Sequence, residues 1–228
     1  MIEKNINIVE ERIKSRCAAA GRNPSDITLV AVSKTHPAEM VREAFSAGLI
    51  HFGENKAQEM DAKSLEIKES VLWHFIGHLQ TNKVKNVIKS AEYIHSVESV
   101  KLAAEIEKRA AKLDKVQKVL LEIKTSSEES KFGLETEDQI KEVADFCMES
   151  GNIQLSGFMT MAPFTDDESV IRKSFSNLRE LKEKFNARGY GLDELSMGMT
   201  SDYEIAIEEG STMLRVGTAI FGSRSYTI

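Results

Sequence analysis

The chain has 228 residues, 41% hydrophobic and 29% charged, a balance typical of a globular protein able to bury a sizeable core, with no indication of disorder. Its 30 basic and 36 acidic residues give a formal net charge of −6, which supplies no electrostatic drive toward nucleic acid or an anionic membrane. Glu3, Glu10 and Glu11 interrupt the apolar positions of the N-terminus, so it reads as neither a secretory signal nor a membrane span, and the cytoplasm is the expected compartment.

Ile2, Ile6, Val9, Ile13 and Cys17 share one helical face, with Gly21 as terminator and a turn over Asn23-Pro24-Ser25-Asp26. Thr28 to Ser33 is a continuous apolar, β-branched run that predicts a buried parallel strand ending at Lys34. Pro37 suits a helix start, and Met40, Val41, Ala44 and Phe45 then recur with helical period before Gly48. The pattern repeats: a strand near His51-Phe52-Gly53 with a helix from Asn55, and a strand over Leu72 to Ile76 with a helix from about Gln80.

Further strands are predicted at Tyr93 to Ser96, Val116 to Ile123, Ile153 to Phe158, Leu192 to Ser196 and Thr212 to Val216. Helices between them carry Leu102, Ile106 and Ala110; Ile140, Val143 and Cys147; and Ile171, Phe175, Leu178 and Phe185. Ser201 and Glu204 form a capping-box pattern. Eight βα units without a Pro/Gly/Ser-rich linker predict a single domain over residues 1–228, an α/β (β/α)8 TIM barrel with an extra N-terminal helix; an open flavodoxin-like sheet is the alternative.

Cys17 and Cys147 fall in helical patterns and are expected to be buried, unreactive thiols. His36, His51, His74, His78 and His95 offer no paired helical spacing and no nearby cysteine, so no metal site is expected. In a barrel, residues at the C-terminal strand ends surround one mouth. Those residues are Lys34, Glu54-Asn55, Gly77-His78, Met159-Thr160-Met161, Ser196-Met197-Gly198 and Arg215 to Thr218.

Lys34 follows an apolar strand, where partial burial lowers an amine pKa and makes a carbonyl-trapping nucleophile; the alternative is a lysine that emerges into solvent. The Ser196 to Ser201 turn and Gly217-Thr218 present hydroxyls and backbone N–H groups suited to phosphate, or are ordinary capped turns. Arg215 sits in an apolar strand and requires a partner, which a barrel carboxylate would satisfy as well as a ligand.

Five blocks occur in order: Ala31-Val32-Ser33-Lys34-Thr35; Phe52-Gly53-Glu54-Asn55; Trp73 to Lys83; Leu195 to Asp202; and Arg215 to Gly222. Together they resemble the pyridoxal phosphate homeostasis protein (YggS/PROSC) family. The resemblance implies a barrel like the N-terminal domain of alanine racemase (PLP fold type III), with pyridoxal 5′-phosphate (PLP) held as a Schiff base on Lys34. It implies Ser196, Gly198, Gly217 and Thr218 around the phosphate, Arg215 at the pyridine nitrogen and Asn55 near the cofactor. His78, Met197, Met199 and Lys131 carry over as pocket neighbours.

An arginine beside the pyridine nitrogen disfavours a second positive charge there and weakens the ring as an electron sink. The chain ends soon after Gly222-Ser223-Arg224, so the C-terminal β-domain of alanine racemases, with its tyrosine base, is expected to be lacking, and Tyr203 is not assumed to replace that base. The function implied is PLP homeostasis, by buffering or delivery to apo-enzymes, without substrate turnover, in a monomer or weak dimer that binds neither nucleic acid nor membrane. The rivals are an amino-acid racemase, lyase or transaminase working from the barrel alone, and a barrel binding another phosphorylated metabolite without covalent attachment.

Overall fold

The computed structural model describes residues 1–125 and 132–222; Lys131 lies outside the described residues. The elements run α1 (Ile2–Ala19), β1 (Thr28–Val32), α2 (Ala38–Ser46), β2 (His51–Glu54), α3 (Ala57–Glu66), β3 (Leu72–Phe75), α4 (Val84–Val87) and β4 (Ala91–Val97). They continue as α5 (Val100–Ala111), β5 (Gln117–Glu122), α6 (Glu137–Glu149), β6 (Ile153–Met159), α7 (Glu168–Asn186), β7 (Glu194–Ser196), α8 (Tyr203–Glu208), β8 (Met213–Val216) and α9 (Thr218–Phe221).

The eight strands are parallel and close in chain order, with β1 paired to β2 on one side and to β8 on the other. The β1–β8 register, from Thr28↔Met213 to Ala31↔Val216, removes the open-sheet alternative. Period-two alternation divides each strand between two environments. On β5, Val119 and Leu121 join the layer between sheet and helices. Leu120 points the other way and meets Met159 of β6 and Met213 of β8, with Tyr93 of β4 against them, so these side chains fill the lumen.

The extra helix forms as its spacing predicts. Ile2, Ile6, Val9, Ile13 and Cys17 are its buried face, packed along α2, α8 and α9 over the β8–β1 closure, and Asn5 Nδ2 donates to the Ile220 carbonyl at 2.9 Å. Both cysteines are free and buried. Burial raises the Cys17 thiol and pushes that of Cys147 up to about 12, so neither supplies a thiolate at neutral pH. Among the described residues no helix is long and apolar enough to cross a membrane.

Two local expectations fail. The Ser201/Glu204 capping box does not form: α8 opens after Asp202, which uses Oδ1 to accept the Met199 N–H at 2.6 Å, while Glu204 is taken by Arg16 of α1 at 2.5 Å. The capping box is instead at Thr136 and Gln139, where each side chain satisfies the other's backbone N–H at the start of α6. The helix expected from Asn55 starts at Ala57, because Lys56 keeps an extended backbone.

Candidate functional site

Lys34 stands in the turn after β1, half-buried, and both its neighbours are anchored from α3. Lys63, itself buried, donates from Nζ to the Ser33 carbonyl (2.8 Å), to Glu54 Oε1 (2.7 Å) and to Glu59 Oε1 (2.8 Å). Ser33 Oγ donates to the same Glu54 oxygen at 2.7 Å, and the Thr35 N–H donates to Glu59 Oε1 at 2.6 Å. Thr35 has φ +68°, a left-handed conformation costly for a β-branched residue and kept only where surrounding contacts over-determine it. The two carboxylates and the ammonium below the turn do so. Glu54, expected at the mouth, therefore faces α3 and supports the turn; burial pushes its carboxyl up, against the opposing pull of Lys63 and Ser33.

Asn55 follows β2 at the mouth. Its Oδ1 is buried and has no hydrogen-bond partner among the described residues, an acceptor that water or a ligand would complete. Gly77 lies directly over it: a Cβ there would sit 2.2 Å from the Asn55 carbonyl oxygen, so only glycine lets the turn after β3 cover Asn55. His78, next in that turn, pairs through Nδ1 with Glu98 at 3.3 Å and stacks on Phe132 at 4.1 Å. It belongs to the rim.

Arg215 on β8 points into the lumen, 4% exposed. Nη1 donates to Ser196 Oγ at 2.6 Å and Nη2 to the Thr160 carbonyl at 2.8 Å. Both acceptors are neutral, so no carboxylate cancels the charge in direct contact through these bonds. Burial pulls Arg215 down to about 10, opposed by the more distant Asp202 and Glu122, and the guanidinium stays cationic at neutral pH. Arg215 is in register with Val30 of β1, which places Lys34 further toward the mouth on the adjacent strand.

Ser196 departs from its expected place. Its hydroxyl, fully buried, is shared between Arg215 and His95 Nδ1 (2.9 Å) rather than turned to the phosphate-type loops. Met197 also points away from the mouth: its side chain is in the layer between sheet and helices, and its backbone carbonyl accepts from Ser211 Oγ at 2.7 Å. Gly198 has φ +95° and no room for a Cβ, which would lie 2.6 Å from that of Ala206 on α8; the turn can take this path only with glycine. Met199 and Thr200 follow, and Thr200 Oγ1 faces the Ala219 N–H at 3.5 Å, which brings the β7–α8 turn against Gly217 and the exposed Thr218. Tyr203 is buried in the outer layer, under the charges of Arg12 and Arg16, and does not reach the mouth.

Sequence reading missed Glu122, the last residue of β5. It is 4% exposed, its Oε2 is unpartnered among the described residues, and burial first, then Glu98, push its carboxyl up to about 7 against the pull of Arg215. The signal was its position, a carboxylate at the inward parity of a strand end. Because the folded value lies above the ordinary 4.5, ionisation opposes folding, and stability is lost as pH rises from that value to about 7. Glu122→Gln is expected to be more stable than the parent at pH 8, on the order of 2–3 kcal/mol, with the advantage gone by pH 4. Urea denaturation at the two pH values checks this, and equal midpoints at pH 8 would refute it.

The closed parallel barrel is the fold shared with alanine racemases, and the sequence model of the alanine racemase N-terminal domain matches residues 5–225. The chain belongs to the pyridoxal phosphate homeostasis protein family: it is 42% identical over 225 residues to the Aquifex aeolicus member, covering 98% of both chains. Among solved structures it is similar to PipY of Synechococcus elongatus PCC7942 with PLP bound (TM-score 0.82, 34% identity, 92% of this chain and 100% of that one). Clostridium difficile alanine racemase shares the fold alone, at TM-score 0.78 and 16% identity, with 99% of this chain spanning 57% of the racemase.

Proposed function

We propose that this protein binds pyridoxal 5′-phosphate through Lys34 and serves cytoplasmic PLP homeostasis, holding the aldehyde cofactor and releasing it to apo-enzymes. The observation that carries the reading is the setting of Lys34, an amine at the barrel mouth whose two flanking residues are both tied to a buried ion-pair cluster. Rigid anchoring of the flanks limits the amine's freedom, which favours covalent capture of a carbonyl.

The surrounding residues fit the rest of the molecule. The unpartnered Asn55 Oδ1 (or Nδ2, its amide-flip equivalent) meets a polar substituent. Gly198, Thr200, Gly217 and Thr218 form the converging turns for the phosphate, with Ser196 supporting Arg215 instead. Arg215, a donor at every ordinary pH, would meet the ring nitrogen and disfavour its protonation. When bound, PLP supplies an electron sink, and Arg215 weakens that sink; this favours storage over turnover of amino acids.

Reconstitution followed by borohydride reduction is expected to place the cofactor mass on the peptide containing Lys34. Handover to an apo-enzyme should continue in the presence of a trap for free PLP. Modification elsewhere would overturn the Lys34 assignment, and reactivation abolished by the trap would reduce the role to buffering.

A further inference from the structure

Among the described residues the barrel interior contains a polar chain that PLP binding does not by itself require. His51 opens β2, His74 is on β3 and His95 on β4, and their rings connect in series: His51 Nδ1 to His74 Nε2 at 2.9 Å, then His74 Nδ1 to His95 Nε2 at 2.9 Å. His95 Nδ1 then meets Ser196 Oγ at 2.9 Å. β4 and β7 are not neighbours in the sheet, so this last bond crosses the lumen. His74 and His95 are fully buried, and only His51, at the end opposite the mouth, is partly exposed.

The direction of the chain follows from counting protons. Arg215 can only donate, so Ser196 Oγ must accept from it. The serine's own proton then goes to His95 Nδ1. A neutral imidazole has one N–H, so His95 donates from Nε2 to His74 Nδ1, and His74 donates from Nε2 to His51 Nδ1. The opposite polarity would have Ser196 accept from both Arg215 and His95 and leave a buried hydroxyl proton without an acceptor, at a cost of about 1–3 kcal/mol.

The rings are neutral for a physical reason. Burial leads in lowering all three, His74 to about 3 and His95 well below its ordinary value. The charges facing them act in the same frame: His51 and Lys118 on His74, His74 and Arg215 on His95, and Glu92 opposing Lys118 at His51. Tyr93 stacks on His74 at 5.1 Å and holds its plane.

We propose that His95, His74 and His51 are positioning residues for Arg215, a one-way hydrogen-bond relay that keeps the Ser196 lone pair turned to the guanidinium and so fixes the cation that faces the cofactor ring. The inference rests on the cofactor reading above for its purpose, but not for its geometry. Asparagine is the informative replacement at His51, because its amide oxygen takes the place of Nδ1 and still accepts from His74, whereas leucine fills the space and accepts nothing.

Nitrogen-15 NMR of the ligand-free protein at pH 7 is expected to show all three rings neutral with the proton on Nε2. A proton on Nδ1 of His74 or His95, or an imidazolium at either, overturns the relay. In the PLP-loaded protein, His51→Leu is expected to release cofactor roughly tenfold faster, equivalent to about 1.4 kcal/mol, and to shift its visible band, while His51→Asn restores both. A folded leucine variant with the parental release rate and band overturns the coupling to Arg215. If the parent shows the Nε2 tautomers but takes up no PLP, the cofactor reading fails and the relay stands.

Discussion

Lys34→Ala is expected to abolish the visible absorbance that reconstitution with PLP produces and to leave no borohydride-stable adduct. The loss should be complete, because the imine needs a primary amine and the turn presents it in one place. Ser33 and Thr35 keep their bonds through backbone atoms to Lys63 and Glu59, and through the Ser33 hydroxyl to Glu54, none of which belongs to the Lys34 side chain. The variant should therefore fold, and its thermal unfolding, measured alongside the spectrum, separates lost attachment from lost structure. A retained visible band in a folded Lys34→Ala protein would show that another amine holds the cofactor.

The second large effect falls on a residue that does not touch the mouth. Lys63→Met removes the ammonium from between Glu54 and Glu59 and leaves Glu54 buried with Oε2 already unpartnered among the described residues. Breaking a buried ion pair from one side costs about 3–5 kcal/mol, most of it the stranded charge. Glu54 already has its carboxyl pushed up by burial, and without Lys63 its folded value rises further. Ionisation then opposes folding at pH 8, and the deficit shrinks as the pH falls toward the ordinary carboxylate range.

Urea midpoints across pH should show that convergence, and Glu54→Gln added to Lys63→Met should recover part of the loss at pH 8. A Lys63→Met protein as stable as the parent would mean that the cluster carries no energetic weight. The same variant loosens the left-handed Thr35 turn, so faster release of PLP from Lys34 is expected to accompany the loss of stability.

Local chemistry made several parts of this protein readable. Continuous apolar runs such as Thr28 to Val32 mark strands covered on both sides, and their alternation with helical periods marks βα units. A lysine at the end of the first strand and an arginine inside the last are visible for the same reason: charged residues beside apolar runs need an explanation. The inward or outward sense of a strand end is harder to read. Glu54 and Asn55 are adjacent, yet one faces α3 and the other the mouth, and Glu122 faces the lumen unannounced by any motif.

Ser196 shows why the remainder was out of reach. Its neighbours in sequence place it in a phosphate-type turn, but its hydroxyl is claimed by Arg215 and by a histidine separated from it by 101 positions. His51, His74 and His95 are 23 and 21 positions apart, spacings without helical or strand meaning, so no periodicity relates them.

The sequence by itself determined the alternation of eight strands with helices, and Lys34 and Arg215 as conspicuous cations, because backbone preference and burial pattern act over a few neighbouring residues; that the strands close into a barrel rather than an open sheet was decided by the β1–β8 pairing. Only the tertiary structure decided which polar atoms meet inside. Closing β8 onto β1 brings side chains from opposite walls into one dry lumen, where each buried donor must find its acceptor across the barrel.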